Sequence, residues 1–219
     1  MNRKTLLAVL CSLFIIPGCS LHDRGRPPST TVETVCNREA DLHLEKGQWD
    51  EAIALHQRII RENPDLALAH YHLGYAYSFK GVHDREIEEY ETAKQLGLKK
   101  FDLFYNLGMA YAEYLADYDK ALAVFKQAES MDPKNAEIHY AIGLVHWFKG
   151  TESEAVPEFL KAIHLDPHHL EAHVLLGEIY SRRGQYDFAK AEWEIVLELD
   201  PGNEMARRKL KEIRDRHSR

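Results

Sequence analysis

The sequence predicts an all-α chain built as an α-solenoid, with about five helix pairs stacked and closed by a C-terminal helix. Three observations predict it. A Leu/Ile-Gly string recurs every 34 or 35 residues. Apolar residues between these strings run at spacings of three and four, which keeps them on one helix face. Each segment stops at a glycine or an Asp-Pro step.

The N-terminus reads first as basic, then apolar, then small. Asn2-Arg3-Lys4 forms the positive flank, Leu6 to Ile16 is nearly unbroken hydrophobic sequence, and Pro17-Gly18 precede Cys19. The apolar stretch is about half the roughly 20 residues a membrane-spanning helix needs. It fits the central part of a secretory signal peptide. The run Ile16-Pro17-Gly18-Cys19 resembles a bacterial lipobox, with Pro17 a less usual occupant of its slot. The resemblance implies a diacylglyceryl thioether on Cys19, cleavage before it, and acylation of the new amine by a chain such as palmitate. An ordinary secretory leader with an incidental cysteine is the plainer alternative. One acyl chain binds a membrane reversibly, whereas two or three make release negligible. Ser20 follows the cysteine; in the Gram-negative lipoproteins this resembles, an Asp there often retains the protein at the inner membrane, so Ser20 favours the outer one.

Residues 19–32 form the expected tether. Gly25, Pro27-Pro28 and Ser29-Thr30-Thr31 have little to bury, and about 12 such residues span on the order of 20 Å. Thr30-Thr31-Val32-Glu33 has the Thr-x-x-Glu form of a capping box, so the folded part is expected from residue 33.

The repeats then run as 33–66, 67–100, 101–135, 136–169 and 170–203. His70 to Tyr77 and Phe104 to Tyr111 carry the clearest copies of the string, and His139 to His146 and His173 to Tyr180 carry weaker ones. Gly74 to Gly108 is 34 positions, Gly108 to Gly143 is 35, and Gly143 to Gly177 is 34. Gly47, Gly81, Gly150 and Gly184 break the first helices. Second helices follow with Ala121, Phe125 and Ala128, then Ala155, Phe159 and Ala162, then Ala189, Trp193 and Val196. Asn63-Pro64, Asp132-Pro133, Asp166-Pro167 and Asp200-Pro201 end them, because proline disfavours helix in the residue before it. Residues 204–219 supply a capping helix and tail, with Leu210 and Ile213 facing inward; terminal units need such a polar cover.

This pattern resembles the tetratricopeptide repeat (TPR) over about residues 33–203. The resemblance implies antiparallel helix pairs stacked in a right-handed superhelix. It also implies small residues at the helix crossings: Gly74, Gly108, Gly143 and Gly177 against Ala52, Ala121, Ala155 and Ala189. The departures are specific. The first unit has Glu39-Ala40 for Leu-Gly and Cys36 in a usually aromatic slot, the second has Glu86 for the small Ala, and the third has one extra residue near Ala116, expected in the turn.

Leu73, Tyr77, Leu107, Tyr111, Ile142, Leu176 and Tyr180 are expected core. A second apolar line on the first helices holds Tyr71, Tyr75 and Phe79, then Tyr105 and Met109, then Tyr140, Leu144, Trp147 and Phe148. In the family this line faces the concave groove where partner peptides bind, which makes Tyr71, Tyr75, Phe79, Tyr105, Met109, Tyr140, Trp147 and Phe148 the candidate protein-binding residues. Packing between neighbouring units is an equal alternative reading. Asn37, Asp41 and Glu45 and then Glu171, Glu178 and Arg182 give the line mainly acidic ends. The Lys/Asn/Arg carboxylate clamp of cytosolic TPR co-chaperones is missing: Asn37, Asp41, Tyr71, Tyr75 and Tyr105 hold those places.

No cofactor, catalytic residue or metal site is expected. The chain has 13 histidines, and His164, His168, His169 and His173 cluster at one turn, but Pro167 interrupts the helix there. A metal-dependent enzyme using the His164–His173 region is the rival reading from another class. His70, His139 and His173 share one repeat position, which points to packing. Only Cys36 of the three cysteines belongs to the folded part, so an internal disulfide framework is excluded. Beyond the leader, 26 basic residues face 35 acidic ones, which argues against a nucleic-acid partner. The expected protein is therefore a lipid-anchored TPR scaffold in the bacterial envelope, outer membrane and periplasm-facing, holding a client protein and no small-molecule substrate. Pilotin-type lipoproteins of secretin and pilus assembly, and adaptors of cell-wall hydrolases, are the groups it resembles.

Overall fold

The computed structural model describes residues 37–217. The leader, Cys19, the tether, the Thr30–Glu33 capping box and Cys36 lie outside the described residues. The described residues form eleven α-helices and one π-helical turn, with no strand among them. In order these are α1 (Arg38–Glu45), α2 (Trp49–Glu62), α3 (Ala67–Lys80), α4 (His83–Gln95) and α5 (Phe101–Ala110). The π-helical turn (Tyr111–Leu115) comes next, then α6 (Tyr118–Met131), α7 (Ala136–Lys149), α8 (Glu152–Leu165), α9 (Leu170–Arg182), α10 (Tyr186–Leu199) and α11 (Glu204–His217). None of them is long and apolar enough to cross a membrane. The chain divides into two compact units, one ending at Ala128 and the other beginning at Glu129.

Local chemistry sets the ends. Asn37 caps α1 by accepting from the backbone N–H groups of Glu39 and Ala40, each at 3.0 Å. Asn135 does the same for α7 at Glu137 N–H, 3.0 Å. At the Asp-Pro steps the carboxylate folds the turn: Asp166 accepts from His168 N–H at 2.9 Å, and Asp200 from Gly202 N–H at 3.0 Å. Gly81 and Gly150 close α3 and α7 at φ of 69° and 91°, a left-handed conformation that glycine adopts without steric cost.

The third pair solves its end differently. Its extra residue is not taken up by the loop; it widens the last turn of the first helix into the π-helical Tyr111–Leu115 segment, which is how one added residue is absorbed without breaking a helix. The segment ends on Ala116 at φ 50°, where the other pairs use glycine.

Within the second to fifth pairs the helices cross glycine against aromatic. A Cβ on Gly74 would sit 2.7 Å from the Tyr90 ring, on Gly143 2.8 Å from Phe159, and on Gly177 2.7 Å from Trp193; Gly108 faces Phe125 in the same way. All four aromatic residues are buried, as are Ala52, Ala121, Ala155 and Ala189. In the second pair the small residue is replaced by Glu86, which is buried and accepts from His83 Nδ1 at 2.9 Å. Leu73, Leu107, Tyr111, Ile142 and Leu176 are core. Tyr77 and Tyr180 are only half-buried. Tyr77 keeps its hydroxyl at the surface, accepting from Gln57 at 2.8 Å, and Tyr180 lies against the exposed Phe188.

The shared histidine position is a clasp. His70 places Nδ1 2.6 Å from Glu89 and Nε2 2.9 Å from the carbonyl of Pro64. His139 meets Glu158 at 2.9 Å and the Pro133 carbonyl at 3.1 Å. His173 meets Glu192 at 2.6 Å and the Pro167 carbonyl at 3.1 Å. Each ring thus ties the preceding turn to the second helix of its own pair. In the third pair Phe104 and Val124 occupy the His and Glu positions, both buried, so polar partners are exchanged for apolar ones together.

Candidate functional site

Burial divides the predicted binding line. In the first unit Tyr71, Tyr75 and Met109 are buried, and Phe79 and Tyr105 are half-buried. In the second unit Trp147 is fully buried, whereas Tyr140 and Phe148 are half-buried. The buried members are used in packing. Tyr71 stacks on Tyr90 with centroids 5.9 Å apart, and Tyr75 meets the Trp49 ring edge-on at 6.3 Å. Phe79 lies flat on Trp49 at 4.2 Å, Tyr105 leans on Phe125 at 6.1 Å, Tyr140 on His169 at 4.6 Å, and Phe148 on Trp147 at 5.2 Å. Phe79, Tyr105, Tyr140 and Phe148 are thus half-buried, each against a second ring.

The ends of the line are only partly open acids: Glu45 and Glu171 are exposed, whereas the other charges there are engaged. Asp41 is buried, with Oδ1 2.7 Å from His72 Nδ1. Glu178 is paired with Lys209 of α11 at 2.7 Å, and Arg182 is paired with Glu152. Asn37 is occupied as a helix cap. Asp41, Glu178 and Arg182 are thus engaged by partners within the chain, which a reading by face alone does not reveal.

The histidine-rich turn does not gather its side chains. His164 and His168 are exposed, and His173 belongs to a clasp. His169 is buried between the carboxylates of Glu137 and Glu171, each 3.4 Å away. Burial alone lowers its pKa, but the two carboxylates outweigh burial and raise it to about 9. Its Nδ1 also lies 3.4 Å from the Ala172 N–H, so the neutral ring caps α9 and the charged ring faces Glu171.

A different cluster, not foreseen from sequence, lies at the first pair. Asp41 on α1, His56 on α2 and His72 on α3 are all buried, and one ligand atom from each falls within 4.8 Å of the others. Asp41 Oδ1 is 2.7 Å from His72 Nδ1 and 3.6 Å from His56 Nε2. Asp41 Oδ2 accepts from the Asn37 backbone N–H at 3.4 Å. Burial, then the neighbouring His72, lower the His56 pKa to about 4 against the pull of Asp41, so this imidazole is neutral at ordinary pH. The signal available in sequence was repeat register: His56 stands where the other pairs carry Tyr90, Phe125, Phe159 and Trp193.

Comparison with known proteins agrees with this architecture. A family model described as "TPR repeat" matches residues 40–81 and 117–150, and one described as "Tetratricopeptide repeat" matches residues 136–169. No curated protein matches the chain. Among solved structures, YrrB, titled a TPR protein with an unusual peptide-binding site, is similar at TM-score 0.69 and 23% identity, over 78% of this chain and 88% of its own. MamA is similar at TM-score 0.71 and 23% identity, over 76% and 97%. TTC0263 of Thermus thermophilus, a thermophilic TPR protein, is similar at TM-score 0.57 and 25% identity, over 80% and 95%. The matched segments are tetratricopeptide repeats, and the fold around them is the TPR fold.

Proposed function

We propose that this chain is a lipid-anchored TPR scaffold that holds a segment of a client protein. The observation that carries the proposal is the set of half-buried aromatic rings on the first helices, Phe79 and Tyr105 in one unit and Tyr140 and Phe148 in the other. Rings held rigid from beneath and open on one edge give large contact area at little entropic cost, which is why aromatic residues dominate binding hot spots. YrrB, of similar fold, is described as having a peptide-binding site. The lipobox at Cys19 supports anchoring, and Ser20 supports the outer membrane with the repeats facing the periplasm. Clients in pilus, secretin or cell-wall assembly suit such a placement.

The test separates anchoring from capture. Cys19→Ser should release the protein from membranes on fractionation; persistent anchoring would overturn the lipobox reading. Photo-crosslinkers placed at Tyr105 or Phe148 in cells should capture a discrete client. The double variant Tyr105→Ala/Phe148→Ala should abolish capture with unchanged helicity. Undiminished capture would overturn the assignment of the surface.

A further inference from the structure

We propose that Asp41, His56 and His72 form a binding site for one first-row divalent cation of the zinc type, held between the first helix pair and α3. Zinc takes imidazole nitrogen and carboxylate oxygen at about 2.0–2.2 Å, so ligands sharing one ion sit about 3.3–3.6 Å apart. The cluster brackets that figure: 2.7 Å and 3.6 Å from Asp41 Oδ1 to the two imidazoles, with all three ligand atoms inside 4.8 Å. The direct Asp41–His72 contact of 2.7 Å would open by roughly 0.6–0.9 Å to admit the ion. Two imidazoles and a carboxylate leave a fourth position for water, the arrangement of a three-ligand site.

The cluster also departs from repeat register, most clearly at His56. The positions equivalent to His56 hold Tyr90, Phe125, Phe159 and Trp193, and those equivalent to Asp41 hold Tyr75, Met109, Leu144 and Glu178. The positions equivalent to His72 hold Arg38, Asn106, Ala141 and Leu175. Most of these are apolar, so the repeat does not require polar groups there. His56 is the full departure, polar where every other pair is aromatic, and it meets Asp41 and His72 at one buried point drawn from three different helices. A carboxylate oxygen and two imidazole nitrogens are a ligand set that zinc takes. The Asn37 backbone N–H on Asp41 Oδ2 is the outer-shell contact that orients a ligating carboxylate.

The site would stitch α1, α2 and α3 together at the N-terminal end of the described residues. The test uses the full-length chain in detergent, stripped with EDTA and titrated with Co2+ and then Zn2+. We expect one Co2+ per chain with visible d–d absorption, its displacement by Zn2+, and a Zn2+-dependent rise in melting temperature. His56→Phe installs the residue found at Phe125 and Phe159. It should fold and lose affinity by more than the roughly 10–100-fold that removal of an outer-shell partner costs. Asp41→Asn, which keeps shape, should weaken binding in the same direction, while His169→Ala should bind as the parent does. The proposal is overturned if the parent chain takes up no stoichiometric Co2+ or Zn2+, the three side chains then being a hydrogen-bonded group only. It is equally overturned if His56→Phe and Asp41→Asn bind as tightly as the parent.

Discussion

Replacing Gly177 by alanine is a sharp test of the helix-pair packing, because two effects of opposite sign meet there. Gly177 lies inside α9, where alanine favours helix over glycine by about 1 kcal/mol. The new Cβ would stand 2.7, 3.0 and 3.1 Å from three atoms of the Trp193 indole, against an ordinary carbon contact of about 3.5–4.0 Å. Trp193 is fully buried and has little room to retreat. Its Nε1 donates to Ser181 Oγ at 3.1 Å, and that hydroxyl donates to the Gly177 carbonyl at 2.6 Å. Moving the ring by close to an ångström therefore adds the loss of a hydrogen bond, about 0.5–1.5 kcal/mol, to overpacking of about 1–3 kcal/mol. The net expectation is destabilisation of about 1–3 kcal/mol, or a melting temperature lower by roughly 2–12 °C for a chain of this size. Thermal and urea unfolding followed by circular dichroism measures it. In a Trp193→Leu background the same alanine should lose its cost, an interaction energy that a double-mutant cycle isolates. A Gly177→Ala protein that melts higher than the parent would refute the reasoning, since helix propensity alone would then have decided the outcome.

The remaining expectations concern single positions. Ala116→Gly should stabilise by about 1 kcal/mol in urea unfolding, because Ala116 sits at φ 50° where a side chain is disfavoured. Asn106→Leu should raise stability by about 1–3 kcal/mol: Asn106 is fully buried and its amide finds no hydrogen-bond partner among the described residues. His173→Ala should cost about 1–3 kcal/mol, because Glu192 and the Pro167 carbonyl both lose their imidazole partner. For His169 the folded pKa of about 9 lies above the ordinary 6.5, so its stabilisation is complete below pH 6.5 and is lost as pH rises toward 9. An NMR titration of the imidazole should show the raised midpoint. Added salt should shrink the effect, since Glu137 and Glu171 are about half exposed. His169→Gln should flatten the pH dependence of melting across that window.

The helix pairs were legible because their determinants are local and repeated. Gly74, Gly108, Gly143 and Gly177 announce the crossings, and the Asp-Pro steps announce the ends. The π-helical turn was legible only as one residue too many; whether a loop or a helix takes up an insertion depends on what the flanking turn is packed against. The aromatic line was harder. Tyr75 and Phe79 stand four residues apart on one face of α3 and both meet Trp49 on α2, yet Tyr75 is buried and Phe79 only half-buried. Periodicity assigns a face to a side chain but not the height of its neighbour. The Asp41–His56–His72 group draws one residue from each of three helices, so no spacing along the chain describes it. Only alignment of the repeats against each other marks those positions as unusual.

The histidine clasps bear on how the protein comes apart. Each one fastens a unit to the turn before it, so it acts as a rivet between successive links, and an array whose links interact with their neighbours opens first where that coupling is poorest. Phe104 and Val124 make the third link the one without a rivet among those whose clasp position is described. Hydrogen exchange under mild denaturant should find the earliest opening in the segment from Leu98 to Tyr118, where the π-helical turn also sits. If so, the array would carry a built-in place to yield, leaving the links on either side intact while that one breathes.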